Sequence, residues 1–290
     1  MSDPDFFSST RICILGLGLM GASLAMALRG KCASLLGIDP DNETRSLAVE
    51  WGLVDQVSEH PSELLPQADL VILAAPVSAI IQLINDLPRL HPGRAIVIDF
   101  GSTKVEIVRV LQALPARFDP LGGHPMCGKE YASIRFAEAG LFQAAPFALT
   151  PLPRTSAHTR LLGEQLALTI GARPIWLDAQ THDHWVAASS HLPYLLSNAL
   201  AAVTPLEVAP MLGTGFQSTA RLSVSDRKMM LDILTTNKEN IISSLEAYIQ
   251  QLQKLGSLLK TDDLPALRAL LEQGAARYEE LISDQGGEGT

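Results

Sequence analysis

Six short runs of almost continuous apolar residues punctuate the first 180 positions. They are RICILGLG (11–18), SLLGID (34–39), DLVILAAP (69–76), AIVIDFGS (95–102), PFALTPL (146–152) and RPIWLD (173–178). None alternates apolar with polar, so none reads as a strand with one face in water. Strands of this kind are buried on both faces, as in a parallel sheet sandwiched between helices. Helical patterns separate the runs, which predicts βαβ units and an α/β fold with a doubly wound, mostly parallel sheet. After Asp178 the texture changes. Residues 180–203 read as one helix with a bend at Pro193. Residues 237–260 put Ile241, Ile242, Leu245, Tyr248, Ile249, Leu252 and Leu255 on one helical face, and 265–282 repeat the pattern. The expected division is a sheet domain over 1–178, an all-helical domain over 179–284 and a disordered tail over 285–290.

The first run leads into GLGLMG (16–21), which fits G-x-G-x-x-G in the one context that gives it meaning, after a strand and at the start of a helix over 19–29. Gly16 permits the tight turn, Gly18 the approach of a pyrophosphate, and Gly21 close helix–strand packing. Leu17, Leu19 and Met20 complete the loop, and the helix start offers free N–H groups to phosphate. Asp39 ends the second run, 18 residues after Gly21. An acid there accepts ribose hydroxyls and repels a 2′-phosphate, which favours NAD; its alternative role is to cap the helix after Pro40. Arg45 nearby keeps NADP open. Ala75 and Pro76, closing the third run, complete the expected cofactor wall.

Composition narrows the partners. The net charge of −9, with no cluster of Lys or Arg, argues against nucleic acid. Hydrophobic residues at 47% suffice for a large core. The three scattered cysteines form neither a disulfide framework nor a metal motif, which suits a cytoplasmic protein. The start MSDPDFFSST is no signal peptide, and no stretch has the length of a membrane span. The seven histidines include no i, i+4 pair and no H-E-x-x-H, so no metal is expected.

Polar residues at the ends of the apolar runs are the candidates for chemistry. Thr103 and Glu106 have capping-box spacing, which leaves the Ser102 hydroxyl for the crevice at the strand end. Lys104 in a first helical turn opposes the helix dipole, which points to a local anion or to a solvated side chain. His182 and His184 flank Asp183 at a helix start, as caps. His191 sits beside the Pro193 bend, as a core polar group or a site residue. GGHPMCGKE (122–130) reads as a loop at the crevice mouth, its glycines lending backbone freedom and its histidine, His124, returning near the strand ends.

Taken together and in order, GLGLMG, DFGSTK, GGHPMCGKE, HDHWVAASSHLP and GTGFQSTARL resemble the prephenate/arogenate dehydrogenase family of tyrosine biosynthesis over about residues 11–240. The resemblance implies NAD(P)-dependent oxidative decarboxylation, prephenate giving 4-hydroxyphenylpyruvate and arogenate giving tyrosine. It implies His124 as base on the ring 4-hydroxyl and Ser102 as the residue that orients His124 beside the nicotinamide. It implies Arg221 on a substrate carboxylate, His191 on substrate from the helical domain, and Glu130 at the substrate's side chain. It also implies a homodimer through the helical domain, with Arg221 supplied across the interface.

The chain departs from the family pattern at Lys129 to Ser133, at Gln217 and Ser218, at Tyr194 and at Met229 or Met230. These changes put the choice between prephenate and arogenate in doubt. The few residues before position 11 and after Ile282 leave no room for a mutase or regulatory domain, so tyrosine inhibition is expected at the active site. Two rivals stand beside this reading. A β-hydroxyacid dehydrogenase would need a catalytic lysine early in the helical part, and no lysine lies between Arg135 and Arg227. A silent NAD-binding regulator would bind the cofactor without turnover.

Overall fold

In the computed structural model, residues 6–129, 131 and 133–286 are described. Eight strands form one sheet: β1 (Arg11–Leu15), β2 (Ser34–Ile38), β3 (Gln56–Ser58), β4 (Leu70–Leu73), β5 (Ala95–Asp99), β6 (Phe118–Pro125), β7 (Pro146–Pro151) and β8 (Arg173–Trp176). Helices α1 (Leu19–Leu28), α2 (Asn42–Glu50), α3 (Pro61–Leu64), α4 (Val77–Leu90), α5 (Val105–Gln112) and α6 (Ala157–Thr169) connect them. The chain continues as α7 (Ala179–Val186), a π turn (Ala187–His191), α8 (Leu192–Val203), α9 (Thr214–Ala220), α10 (Arg227–Thr236), α11 (Lys238–Lys260) and α12 (Leu264–Gly286).

The strand order is β3-β2-β1-β4-β5-β6-β7-β8. β1 to β6 are parallel, β7 runs antiparallel to β6, and β8 runs parallel to β7. The order reverses between β1 and β4, and the crevice outside the strand carboxyl ends at such a switch is where ligands bind in open sheets of this type. Successive residues feed opposite layers, as the unbroken apolar runs require. Ile12 and Ile14 pack under α1 and α6 with Leu24 and Leu166. Cys13 and Leu15 pack on the other face with Ile80 and Ile84 of α4 and Ile107 of α5. The α/β expectation holds.

Two strands escaped the apolar-run criterion. β3 is a three-residue edge strand without a buried position. β6 carries Pro120, Gly122, Gly123, His124 and Pro125, so the first four residues of the stretch expected as a loop belong to a strand. Its glycines answer crowding, not a need for freedom. A Cβ on Gly123 would meet the Asp99 carbonyl oxygen at 2.6 Å, and one on Gly122 would meet Thr150 Cβ at 3.0 Å. His124 is therefore held in register opposite Ala148 of β7.

By packing, the chain divides into two units, Met1–Ile241 and Ile242–Thr290. The helices from α7 to α10 fall in the unit of the sheet, so this split lies further along the chain than the boundary expected after Asp178. The second unit carries exposed apolar residues at helical spacing, among them Ile249, Leu252, Leu271 and Tyr278. The helix α12 extends to Gly286, beyond the 284 limit expected for it, and 287–290 lie outside the described residues. No helix among the described residues is long and apolar enough to cross a membrane.

Candidate active site

Two constructions share the carboxyl edge of the sheet. The first is the turn from β1 into α1. Gly16 has φ +95°, and a Cβ there would lie 2.4 Å from the Ala74 carbonyl oxygen, so the end of β4 passes directly against the turn. A Cβ on Gly21 would lie 1.8 Å from Gly16 O. Neither position has space for a side chain, as the fingerprint demands. Gly18 stands at the N-cap of α1 and no side chain caps that helix, so its first N–H groups are left to the backbone or to a ligand. The side chains of Leu17 and Leu19 are buried in the core, which leaves the backbone as their means of touching a cofactor. Ala75 is half-buried and Pro76 is the exposed N-cap of α4.

Asp39 does not cap the following helix, because Asp41 does so by accepting from Thr44 N–H at 2.7 Å. The Asp39 carboxylate accepts from Leu17 N–H at 2.7 Å and from Asp41 N–H at 2.9 Å. It is tied to the glycine turn itself, where a ribose would rest. Arg45 is committed elsewhere. It donates to the carbonyls of Asp39 and Pro40, both at 2.8 Å, and to Glu59 at 2.9 Å.

The second construction gathers side chains from distant segments. His124 is half-buried at the carboxyl end of β6. Its Nδ1 lies 2.9 Å from Nε2 of His182, and His182 Nδ1 lies 2.8 Å from Asp183 Oδ1. The expected orienting partner, Ser102, is not the residue that holds His124; His182 occupies that place. Ser102 is half-buried in the turn between β5 and α5. The capping box of Thr103 and Glu106 does not form either. Thr103 Oγ1 bonds Thr236 Oγ1 at 2.9 Å, and Glu106 pairs with Arg109. The cap of α5 comes instead from Asp183, which accepts from Lys104 N–H at 2.7 Å and Val105 N–H at 2.9 Å. A carboxylate at a helix N-terminus satisfies orphan donors and the dipole together.

Lys104 proves to be wholly buried. Its ammonium pairs with Asp99 at the end of β5 and donates to Gly123 O at 2.6 Å. Asp99 also accepts from Gly101 N–H at 2.9 Å and Gly123 N–H at 3.2 Å. Of the two expected readings the local anion holds, it is the protein's own, and the pair fastens β5, α5 and β6 at Gly123, the residue before His124. Burial pushes the Asp99 carboxyl up and the Lys104 ammonium down, and their mutual attraction opposes both shifts.

His191 lies in the π turn, a widened helical turn of the kind often found at functional sites. It is 1% exposed. Its Nδ1 lies 3.2 Å from Asn237 Nδ2, which also donates to Asp183 O at 2.6 Å. Since the amide is the donor, His191 Nδ1 is the acceptor and Nε2 carries the hydrogen. Burial lowers all three histidines. His124 falls well below 6.5, with the charges on His182 and Lys104 as lesser causes; His182 also falls; His191 falls to about 4. Each is a neutral imidazole at pH 7.

Arg221 is exposed where α9 passes into a 3-10 turn. Glu130 lies outside the described residues. Cys127 is half-buried, and burial pushes its thiol up to about 12, so it is no thiolate nucleophile. Among the described residues, no cluster of three or more His, Cys, Asp or Glu could hold a metal ion.

A model of the nucleotide-binding domain of prephenate dehydrogenase matches residues 24–174, and a model of its dimerization domain matches 178–273. The chain belongs to the prephenate dehydrogenase family. Within it, the chain is 29% identical to a prephenate dehydrogenase of Bacillus subtilis over 267 residues, 87% of this chain and 71% of that protein. The crystal structure of prephenate dehydrogenase from A. aeolicus, in complex with hydroxyphenyl propionate and NAD+, has a TM-score of 0.87 at 27% identity and covers 95% of this chain and 99% of its own. Synechocystis arogenate dehydrogenase has a TM-score of 0.79 at 30% identity, with 93% and 99% covered.

His182, Asp183, Asp99 and Asn237 were not among the site residues expected from sequence. The first two stood inside the HDHW stretch of the resemblance, where His182 was read as a cap and Asp183 only as its neighbour. Asp99 carried a weak signal as an acid closing an apolar strand, and Asn237 carried none.

Proposed function

We propose that this chain oxidises a cyclohexadienyl carboxylate with loss of CO2 in tyrosine biosynthesis, using NAD, with prephenate or arogenate as substrate. The observation that carries this reading is His124: a neutral imidazole at the carboxyl end of β6, on the same sheet edge as a glycine turn without room for a side chain. NAD, when bound, supplies the acceptor for the hydride leaving the ring carbon that bears the 4-hydroxyl. His124 takes the hydroxyl proton as the hydride leaves and returns it to the oxygen of the aromatic product. Departure of the ring carboxylate as CO2 provides the electrons that make the ring aromatic, so the chain need only place the substrate and hold that proton.

His191, with its hydrogen on Nε2, donates to a substrate oxygen, and Arg221 grips a substrate carboxylate with its planar fork. Ser102 touches the nicotinamide side, and Glu130 borders the substrate's side chain. Two observations favour NAD over NADP. Asp39 holds a carboxylate at the ribose position, and the guanidinium of Arg45 is already engaged by carbonyls and Glu59. The exposed apolar residues of α11 and α12 support a homodimer through the matched dimerization region. Tyrosine, when it inhibits, competes with substrate at this same crevice.

The deciding experiment offers prephenate and arogenate side by side with NAD and follows NADH and CO2. Equimolar NADH and CO2 from either one is expected. NADH from simple β-hydroxyacids alone would favour the rival dehydrogenase, and NAD binding without any turnover would favour the silent regulator.

A further inference from the structure

The bonds around His124 fix a tautomer as well as a position. Asp183 already accepts backbone N–H groups at both carboxylate oxygens, 2.7 Å from Lys104 N and 2.9 Å from Val105 N. It meets His182 Nδ1 at 2.8 Å as an acceptor, so Nδ1 carries the hydrogen. A neutral imidazole protonated at Nδ1 presents a lone pair at Nε2. That lone pair lies 2.9 Å from His124 Nδ1, which must therefore be the donor. The one nitrogen left to His124 as an acceptor is Nε2.

We infer that His182 and Asp183 are positioning residues that hold His124 in the Nδ1–H tautomer and so make Nε2 the base of the reaction. The inference rests on the functional reading above. The relay is built for constancy. Asp178 caps α7 through Thr181 N–H at 2.9 Å and so fixes the start of the helix that carries both residues. His182 and Asp183 are each 1% exposed, so water cannot compete for either bond. When His124 takes the hydroxyl proton at Nε2, its Nδ1–H still points at the His182 lone pair, and the new positive charge is met by the Asp183 carboxylate one ring away.

The other charged or titratable groups facing the pair are Lys104, Asp99 and His191. Lys104 and Asp99 neutralise each other, and His191 is engaged by Asn237, so none offers His124 Nδ1 a competing acceptor.

Asp183 also caps α5, so the test is made at His182 in the full-length chain. His182→Gln keeps a carbonyl acceptor able to take the His124 Nδ1–H; His182→Leu keeps none. ¹⁵N NMR of histidine-labelled protein reads the tautomer directly, with no substrate present. In the parent, His124 Nε2 should resonate as an unprotonated ring nitrogen and Nδ1 as a protonated one, and His182→Leu should give a mixture. In turnover, His182→Leu should lose roughly 100-fold in kcat, as for a mis-set general base, with NAD affinity and KM within about twofold. His182→Gln should recover all but about threefold of it. Equal kcat in the Leu and Gln variants, or a parent spectrum with the hydrogen on Nε2, overturns the inference. Failure of the parent to act on either cyclohexadienyl substrate would strike the functional reading instead, and the NMR result would stand apart from it.

Discussion

The two constructions on this sheet edge, a cofactor end and a chemical end, are built by opposite means. The cofactor end comes from one stretch of chain: Gly16, Gly18, Gly21 and Asp39 lie within 24 residues, and backbone sterics do most of the work. The chemical end draws on residues 99, 104, 124, 182, 183, 191 and 237, joined by side-chain hydrogen bonds across up to 79 positions. A local device can be swapped or tuned alone. A dispersed one is coupled, so a single change disturbs several elements at once. Mutations at the two ends should therefore separate cleanly in what they alter.

The largest effect is expected at His124. His124→Asn should lower kcat by about 10²- to 10⁴-fold, the usual range for a lost general base, while NAD titration stays unchanged. A parallel loss of NAD binding would break the separation. Next comes the buried pair. Lys104→Met leaves Asp99 without its cation and should destabilise the chain by about 3–5 kcal/mol in urea unfolding, because an unpaired buried charge is strongly unfavourable. At the cofactor end, Asp39→Asn should weaken NAD by roughly 10- to 100-fold, the worth of one or two hydrogen bonds to a charged group, with kcat at saturating NAD nearly unchanged.

The smallest effect is on stability against pH. His124, His182 and His191 all have folded pKa values below the ordinary 6.5. The unfolded chain then binds protons that the folded chain refuses. Stability is full above pH 6.5 and declines as pH falls from there toward about 4, the His191 value. Thermal scans should show Tm several degrees lower at pH 5 than at pH 7. A Tm that rises over that interval would contradict the burial of neutral imidazoles.

The same contrast explains what could be read in advance. GLGLMG and Asp39 were legible because their meaning depends on spacing over a few turns. His124 and His191 were legible as isolated polar residues near a strand end and a helix bend. β6 was hidden because its residue types answer crowding by Asp99 and Thr150, which only the packed sheet reveals. The capping box misled because its local spacing was sound, yet a distant carboxylate, Asp183, took the cap. His182 passed for a helix-start histidine since its partner His124 lies 58 residues away. Lys104 was the instructive case. Its place at a helix start left a local anion and a solvated side chain both open, and the anion proves to be Asp99, five residues upstream.

The central claim is that neutral His124 takes a proton during turnover. The pH profile of kcat/KM, measured on the parent and on His124→Asn with the better of the two substrates, tests it most directly. The parent should show an acid limb with its midpoint below pH 6.5, since burial lowers the His124 pKa, with activity rising as pH rises through it. His124→Asn should retain a small, flat residual activity without that limb. The same acid limb in both proteins would place the proton acceptor elsewhere.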